Sequence, residues 1–211
     1  MGVKIKLCGL FRDEDIDFAN EARPDYIGFV FAKSRRQVTA VQAARMRARL
    51  REGIVPVGVF VNAPVEEVAA LYRDGVIGVA QLHGAEDWDY IAALKERCNV
   101  PVIKAVKVKR QIDLTPMEHK SNSATGADFL LLDNGPGGTG RRFDWALLQD
   151  GDYLNTLSIP CFLAGGIDVS NIGEALRFRP YGIDVSSGAE TDGVKDRDKM
   201  IRLVEIVRSM V

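Results

Sequence analysis

Histidine is scarce in this chain, and its cysteines are not paired in sequence. It has two histidines, His83 and His119, and three cysteines, Cys8, Cys98 and Cys161. Because no Cys-x-x-Cys pair occurs, a metal site built on histidine and thiolate ligands is not expected. An odd number of widely separated cysteines is typical of free thiols in a reducing cytoplasm. The sequence therefore predicts a cytoplasmic protein with no metal and no disulfide framework.

Long apolar runs and an excess of one charge are also absent. No stretch approaches the roughly 20 apolar residues that a membrane-spanning helix needs. The segment Met1–Leu10 alternates lysine with aliphatic residues and lacks the apolar centre of a signal peptide. The formal net charge of −1 gives no electrostatic basis for binding nucleic acid or an anionic membrane. We expect a small molecule as the partner, with no nucleic-acid or membrane interaction.

What the chain does contain is a regular alternation of apolar, β-branched segments with amphipathic ones. Strands are predicted at Val3–Leu7, Tyr26–Phe31, Val55–Val61, Gly78–Leu82, Val102–Val106, Phe129–Leu132, Pro160–Ala164 and Gly182–Val185. The segments between them show helical spacing. Thr39 and Gln42 form a capping-box signature, and Pro64 suits a first helical position. The weakest predicted helix lies within Lys107–Gly126, since it contains a proline and a polar cluster.

Strands alternating with helices favour a closed (β/α)8 TIM barrel over an open doubly wound sheet. The Gly-x-Gly-x-x-Gly fingerprint of dinucleotide-binding sheets does not follow the first strand. No break in composition suggests a linker, so residues 1–211 are predicted to form a single α/β domain.

The most unusual stretch follows the sixth predicted strand. Asp133 comes at the end of this strand, and Gly135, Gly137, Gly138 and Gly140 follow it. Clustered glycines indicate unusual backbone angles or a close approach to a ligand. An acid at this position is where a barrel enzyme holds a proton donor or acceptor, since the carboxyl ends of the strands form the active-site face. The alternative is an ordinary surface loop that an aspartate turn opens.

Small residues follow the seventh and eighth strands. Gly165 and Gly166 come after one strand, and Ser186, Ser187 and Gly188 come after the other. In α/β barrels these two turns commonly bind phosphate, because their backbone amides can hold an anion without a lysine. Two tight turns with no ligand are the alternative.

Cys8 follows the first predicted strand. Side chains alternate along a strand, so Lys6 and Cys8 share one face while Ile5 and Leu7 share the other. Ile5 and Leu7 are suited to pack against the helices, so Cys8 is expected to face the barrel interior. There the ammonium group of Lys6 would favour the thiolate form of Cys8. Strand eight closes the barrel against strand one, so Asp184 and Lys6 are candidates for an inner ion pair. The alternative for Cys8 is a small buried apolar residue.

Seven motifs along the chain occur together, and in this order, in one enzyme family. They are Lys6-Leu7-Cys8-Gly9-Leu10, Gly28-Phe29-Val30-Phe31, Ser34-Arg35-Arg36, Gln81-Leu82-His83-Gly84, Leu132-Asp133 with the glycine loop and Phe143-Asp144-Trp145, Leu163-Ala164-Gly165-Gly166, and Asp184-Val185-Ser186-Ser187-Gly188 with Gly193-Val194-Lys195-Asp196. Together they closely resemble the phosphoribosylanthranilate isomerase family of tryptophan biosynthesis. The chain departs from the family at Phe11, Arg35 and Gln37, where threonine, proline and tyrosine are common.

The resemblance implies an Amadori rearrangement of N-(5'-phosphoribosyl)anthranilate to 1-(2-carboxyphenylamino)-1-deoxyribulose 5-phosphate. It assigns Asp133 as the general acid and Cys8 as the general base, with no cofactor and no metal. These roles need pKa values pushed in opposite directions, so we expect desolvation to raise the pKa of Asp133 and Lys6 to lower that of Cys8. A monomer and a homodimer both stay open.

The resemblance also implies the substrate-binding residues. It assigns Arg36 to the anthranilate carboxylate, and the backbone amides around Gly166, Ser187 and Gly188 to the phosphate. If the chain is extended after Ser34, Arg35 and Arg36 point to opposite sides, and only Arg36 faces the site. His83 shares a strand face with Gln81 and is expected in the mouth of the barrel. Since the family gives His83 no proton transfer, substrate contact and packing both stay open.

Two other interpretations remain. One is another phosphosugar barrel enzyme. The related isomerase of histidine synthesis usually has paired aspartates after strands one and five, whereas here these strands end in Cys8 and near Lys107. Indole-glycerol-phosphate synthase needs a lysine acid and a glutamate base, which are not found at matching positions. The other is a catalytically silent regulator that binds phosphate or anthranilate. A silent protein would be expected to lack Cys8 or Asp133, and both are present.

Overall fold

Eight parallel strands close into a barrel in the order β1-β2-β3-β4-β5-β6-β7-β8. The structure, a computed structural model, describes residues 2–107, 126–133, 154, 157 and 159–209. The strands are β1 Lys4–Cys8, β2 Tyr26–Val30, β3 Val55–Phe60, β4 Val79–Leu82, β5 Val102–Lys107, β6 Phe129–Asp133, β7 Cys161–Leu163 and β8 Gly182–Val185. A short antiparallel pair, β9 Glu190–Thr191 and β10 Val194–Lys195, follows the barrel. The predicted (β/α)8 barrel is confirmed.

The strand ends differ from the prediction by at most one residue, and two of these differences concern the site. Cys8 belongs to β1 and is paired in register with Gly28, and Asp133 belongs to β6 and is paired with Lys107. The parallel ladder therefore continues through both predicted proton-transfer residues. Their backbones are held by the barrel and not by the loops that follow.

The described helices are α1 Asp13–Ala22, α2 Ala40–Arg49, α3 Val65–Arg73, α4 Trp88–Cys98, α5 Ile172–Leu176 and α6 Arg197–Ser209. The predicted capping box of α2 is confirmed, since Gln42 N donates to Thr39 Oγ1 over 3.2 Å and Thr39 N donates to Gln42 Oε1 over 2.8 Å. The prediction for Pro64 is wrong by one residue. Its ψ of 138° is extended, so it precedes α3 as the N-cap.

Several sequence predictions fall outside the described residues. They are the glycine loop after Asp133, the motif Phe143-Asp144-Trp145, the helix predicted within Lys107–Gly126 and the surface position of His119. In the part of the chain that the structure does describe, no helix is long and apolar enough to cross a membrane.

Apolar side chains form two layers, one on each side of the barrel wall. Ile5 and Leu7, both fully buried, belong to the layer between the strands and the helices. A second cluster fills the interior of the barrel with Val57, Val79, Ile103, Leu131, Phe162 and Ala164. Because side chains alternate along β1, Lys6 and Cys8 face this interior, as predicted.

An aromatic cluster lies at the amino ends of the strands. Phe162 packs edge-on against Tyr26, Phe129 and Tyr181, and the hydroxyl groups of Tyr26 and Tyr181 are 2.9 Å apart. This cluster fills the end of the barrel at which the strands begin. The polar side chains that line the cleft lie at the opposite end, where the strands finish.

Candidate active site

A cleft opens at the carboxyl ends of the strands. Its empty space, which includes open solvent, is about 940 Å³. Most of the predicted site residues line it, namely Cys8, Arg36, His83, Asp133, Gly166 and Ser187. Gly188 is not a lining residue.

Cys8 lies beside a buried ion pair. Lys6 Nζ donates to Asp184 Oδ1 over 2.8 Å, and the two side chains are 0% and 8% exposed. This pair was predicted from the alternation of β1 and its closure against β8, and it is confirmed. In the barrel ladder Lys6 and Asp184 are direct register partners.

The pKa of Cys8 does not move as expected. Burial raises it, and the charge of Lys6, which lowers it, does not fully compensate. The sequence prediction was right about the direction of the Lys6 effect and wrong about the net result. Burial lowers the pKa of Lys6, but Asp184 and Cys8 raise it by more, so Lys6 stays protonated. The Cys8 thiol is therefore protonated at neutral pH, next to a cation that stabilises the thiolate once it forms.

An imidazole lies between Asp133 and Gln81. His83 Nε2 is 3.6 Å from Asp133 Oδ2, and His83 Nδ1 is 2.9 Å from Gln81 Nε2. A ring nitrogen and an amide group at this distance can form a hydrogen bond, whose direction depends on the tautomer of His83. Gln81 Oε1 is buried and has no hydrogen-bond partner among the described residues. His83 thus lies in the mouth, as its strand face predicted.

The loop that carries His83 is held by a second buried ion pair. Glu86 accepts from the backbone N–H of Asn62 over 2.7 Å, from that of Gly84 over 2.8 Å and from Lys104 Nζ over 3.0 Å. Burial raises the pKa of Glu86, but these hydrogen bonds lower it by more, so the carboxyl is held ionised. Sequence reasoning missed this cluster, because Glu86 and Lys104 have no motif that connects them.

Arg35 and Arg36 do not point to opposite sides. The chain turns at these residues instead of continuing extended, and both guanidinium groups reach Glu190. Arg36 donates from Nε to Oε1 over 2.6 Å and from Nη2 to Oε2 over 2.9 Å. The side chain of Arg36 is 8% exposed and that of Arg35 is 56% exposed, so only Arg36 is enclosed. Glu190 is a further site residue that the sequence reasoning missed.

The turns after β7 and β8 pack backbone against backbone. A Cβ atom at Gly188 would lie 2.0 Å from the carbonyl oxygen of Ile167, so only glycine fits there. Gly166 and Ser187 line the cleft, and Gly188 packs against the backbone of Ile167 and Asp168. The result is a surface of small residues at the position where α/β barrels commonly bind phosphate.

Among residues 2–107, 126–133, 154, 157 and 159–209, no group of three or more histidine, cysteine, aspartate or glutamate side chains is arranged to bind an ion. A metal-independent site stays a prediction.

The closed parallel barrel and the polar cleft at the carboxyl ends of its strands define an α/β-barrel enzyme that acts on a small molecule. The model of the N-(5'-phosphoribosyl)anthranilate (PRA) isomerase family matches residues 5–206. The chain belongs to this family.

Individual relatives match over nearly the whole chain. The N-(5'-phosphoribosyl)anthranilate isomerase of Endomicrobium trichonymphae is 47% identical, over 98% of this chain and 99% of that protein. The phosphoribosyl anthranilate isomerase of Thermus thermophilus superposes with a TM-score of 0.85 at 32% identity, over 99% of this chain and 100% of that one. Another solved phosphoribosyl anthranilate isomerase, in complex with reduced 1-(o-carboxyphenylamino)-1-deoxyribulose 5-phosphate, superposes with a TM-score of 0.82 at 30% identity, over 98% and 99% of the two chains.

Proposed function

We propose that Cys8 and Asp133 carry the acid–base chemistry by which this chain isomerises N-(5'-phosphoribosyl)anthranilate to 1-(2-carboxyphenylamino)-1-deoxyribulose 5-phosphate. The isomerase activity is that of the family to which the chain belongs. The assignment of the two residues rests on one observation. Both occupy the last paired position of a barrel strand, and both line the same cleft.

The reaction needs one group that donates a proton to the substrate and one that removes a proton from it. Asp133 protonates the furanose ring oxygen as its bond to C1 breaks, which leaves an iminium between C1 and the anthranilate nitrogen. The iminium acidifies C2, and the Cys8 thiolate removes the C2 proton. The resulting enol then loses its hydroxyl proton and gains one at C1, which gives the ketone. Solvent returns the proton from Cys8 to Asp133.

Cys8 has to lose its proton before it can act as the base. Burial opposes this, because it favours the thiol. Lys6 stabilises the thiolate form, and its own charge is kept by Asp184.

The order of strands around the barrel suits an elongated substrate. The turn that follows β8 supplies Ser187 for the phosphate, β1 supplies Cys8 for the ribose, and the loop after β2 supplies Arg36 for the anthranilate carboxylate. These strands are neighbours in the barrel wall, so the substrate can lie across them. Gly166 and Gly188 complete the proposed phosphate site, and His83 faces the sugar from the side of Asp133.

The proposal extends to the cofactor requirement, the cellular location and the oligomeric state of the chain. The chain works without a metal or an organic cofactor, because an iminium already supplies the electron sink that the proton transfer needs. It resides in the cytoplasm, which its three free cysteines support. It acts as a monomer or a homodimer, which sedimentation would decide.

Turnover of substrate made in situ from anthranilate and phosphoribosyl pyrophosphate tests the function. Cys8→Ala and Asp133→Asn are each expected to reduce turnover by on the order of 10²–10⁴-fold while the reduced product analogue still binds. Cys98→Ala is the matched control, since Cys98 lies at the end of α4 and outside the cleft. An inactive wild-type chain would reject the activity, and a Cys8 or Asp133 variant within a few-fold of wild type would reject that residue's role.

A further inference from the structure

Glu190 connects two halves of the site that are distant in sequence. Its side chain is 3% exposed and lies on β9, just after the turn proposed for phosphate. Oε1 accepts from Arg36 Nε over 2.6 Å and from Lys195 Nζ over 2.8 Å. Oε2 accepts from Arg36 Nη2 over 2.9 Å and from Arg35 Nη2 over 2.6 Å. Both oxygens of this buried carboxylate are thus fully engaged by cations.

We propose that Glu190 is a positioning residue that fixes Arg36 so that its remaining edge faces the carboxylate of the substrate. This inference rests on the proposed function, in which Arg36 binds that carboxylate. A guanidinium group has five N–H bonds, and Glu190 accepts from Nε and from one of the two on Nη2. The other N–H of Nη2 and one N–H of Nη1 form a second edge. Among the described residues, no acceptor contacts Nη1, and Arg36 lines the cleft.

A free arginine side chain would have to be ordered each time the substrate binds. Ordering a long side chain costs conformational entropy, and a side chain that is already held avoids most of this cost. Arg36 is held from a second side as well, since a Cβ atom at Gly9 would lie 2.5 Å from Arg36 Cδ. Glu190 and the backbone at Gly9 together restrict the orientation of the guanidinium group.

Lys195 extends the connection to the phosphate turn. Its Nζ donates to the carbonyl oxygen of Ser186 over 2.9 Å as well as to Glu190. Glu190 also separates the positive charges of Arg36 and Lys195, which would otherwise repel each other. Burial raises the pKa of Glu190, but Arg36 and Lys195 lower it by more, so the carboxylate that holds Arg36 stays ionised. Lys195 therefore helps to hold the carboxylate that positions Arg36.

Two ligands that differ by one carboxylate separate positioning from a general structural role. The first is reduced 1-(2-carboxyphenylamino)-1-deoxyribulose 5-phosphate, and the second is the same compound with a plain phenyl ring. Isothermal titration gives both dissociation constants for wild type, Glu190→Gln, Glu190→Asp and Arg35→Ala. Arg35→Ala is the matched control, because Arg35 contacts the same carboxylate from an exposed position.

We expect Glu190→Gln to weaken the carboxylated ligand by on the order of 10-fold and the phenyl ligand by less than about 2-fold. Glu190→Asp, which keeps the charge, is expected to recover part of the loss, and Arg35→Ala to leave both ligands within about 2-fold of wild type. Equal weakening of both ligands, or none, would overturn the proposal. If Glu190→Gln does not fold, Glu190→Asp is judged by the same criterion.

The same data separate this proposal from the one on which it rests. If wild type binds both ligands equally well, Arg36 does not bind the carboxylate, and the substrate orientation proposed above fails with it. If wild type prefers the carboxylated ligand and Glu190→Gln keeps that preference, only the role of Glu190 fails.

Discussion

Lys6 Nζ and Asp184 Oδ1 lie 2.8 Å apart in the barrel interior, and both charges act on the thiol of Cys8. Lys6 lowers the pKa of Cys8 and Asp184 raises it. The pair is therefore more than a buried structural contact. It sets how readily the proposed general base loses its proton.

The first prediction concerns that thiol. Lys6→Met is expected to raise the pH at which Cys8 reacts at half its maximal rate with iodoacetamide, because it removes the cation and leaves the charge of Asp184. Asp184→Asn is expected to lower it, because Lys6 is then free to pair with the thiolate. Mass spectrometry of the Cys8 peptide across pH gives the titration. Cys98 in the same samples is the internal control, and shifts of the same sign in both variants would contradict the prediction.

The second prediction separates two adjacent arginines. Arg36→Ala is expected to reduce kcat/KM by on the order of 10- to 100-fold, because two charge-assisted hydrogen bonds to the substrate carboxylate are lost. Arg35→Ala is expected to change it by less than about 3-fold, since its side chain is 56% exposed. Steady-state kinetics at low and high ionic strength provide the measurement. Similar losses that both fade with salt would mean that the two arginines only attract an anionic substrate.

The third prediction concerns acid stability. The pKa of Glu86 is lowered in the folded chain, so its contribution is complete above the ordinary glutamate pKa of about 4.3 and is lost as pH falls through the folded value. Glu86→Gln is expected to reduce the free energy of unfolding by about 3 kcal/mol at pH 7, because it leaves Lys104 without its buried partner. The difference from wild type should shrink below about pH 4.3.

Urea unfolding at a series of pH values measures this difference. Glu66→Gln is the control, because Glu66 pairs with Arg97 at the surface and its side chain is 66% exposed. We expect a small effect of Glu66→Gln at every pH. A Glu86→Gln deficit that stays constant down to pH 3 would show that the charge of Glu86 is not what stabilises this loop.

The fourth prediction concerns metals. Exhaustive treatment with a chelator is expected to leave turnover unchanged, because the proposed proton transfers use only Cys8, Asp133 and the iminium of the substrate. Activity is compared before and after dialysis against chelator, with metal content measured on the same samples. Loss of activity that one divalent cation restores would contradict the proposed chemistry.

Much of the fold could be predicted from local patterns. Apolar runs and their spacing placed all eight strands of the barrel within one residue of their ends. The same alternation turned Cys8 and Lys6 inward and, with the closure of β8 against β1, paired Lys6 with Asp184. These predictions succeeded because the period of a strand is a local property and because eight strands alternating with helices favour a closed barrel.

The partners of the site residues could not be predicted in the same way. Arg36 and Glu190 are 154 residues apart in sequence, and nothing local to either indicates the other. The net pKa of Cys8 was also missed, because a neighbouring lysine is visible in the sequence but the depth of burial is not. Strand alternation and strand order were enough to predict that Cys8, His83 and Asp133 face the cleft. Apart from the pair of Lys6 and Asp184, the ion pairs of the cleft and the burial of its charges could be seen only in the folded chain, because they depend on residues that the fold brings together from distant parts of the sequence.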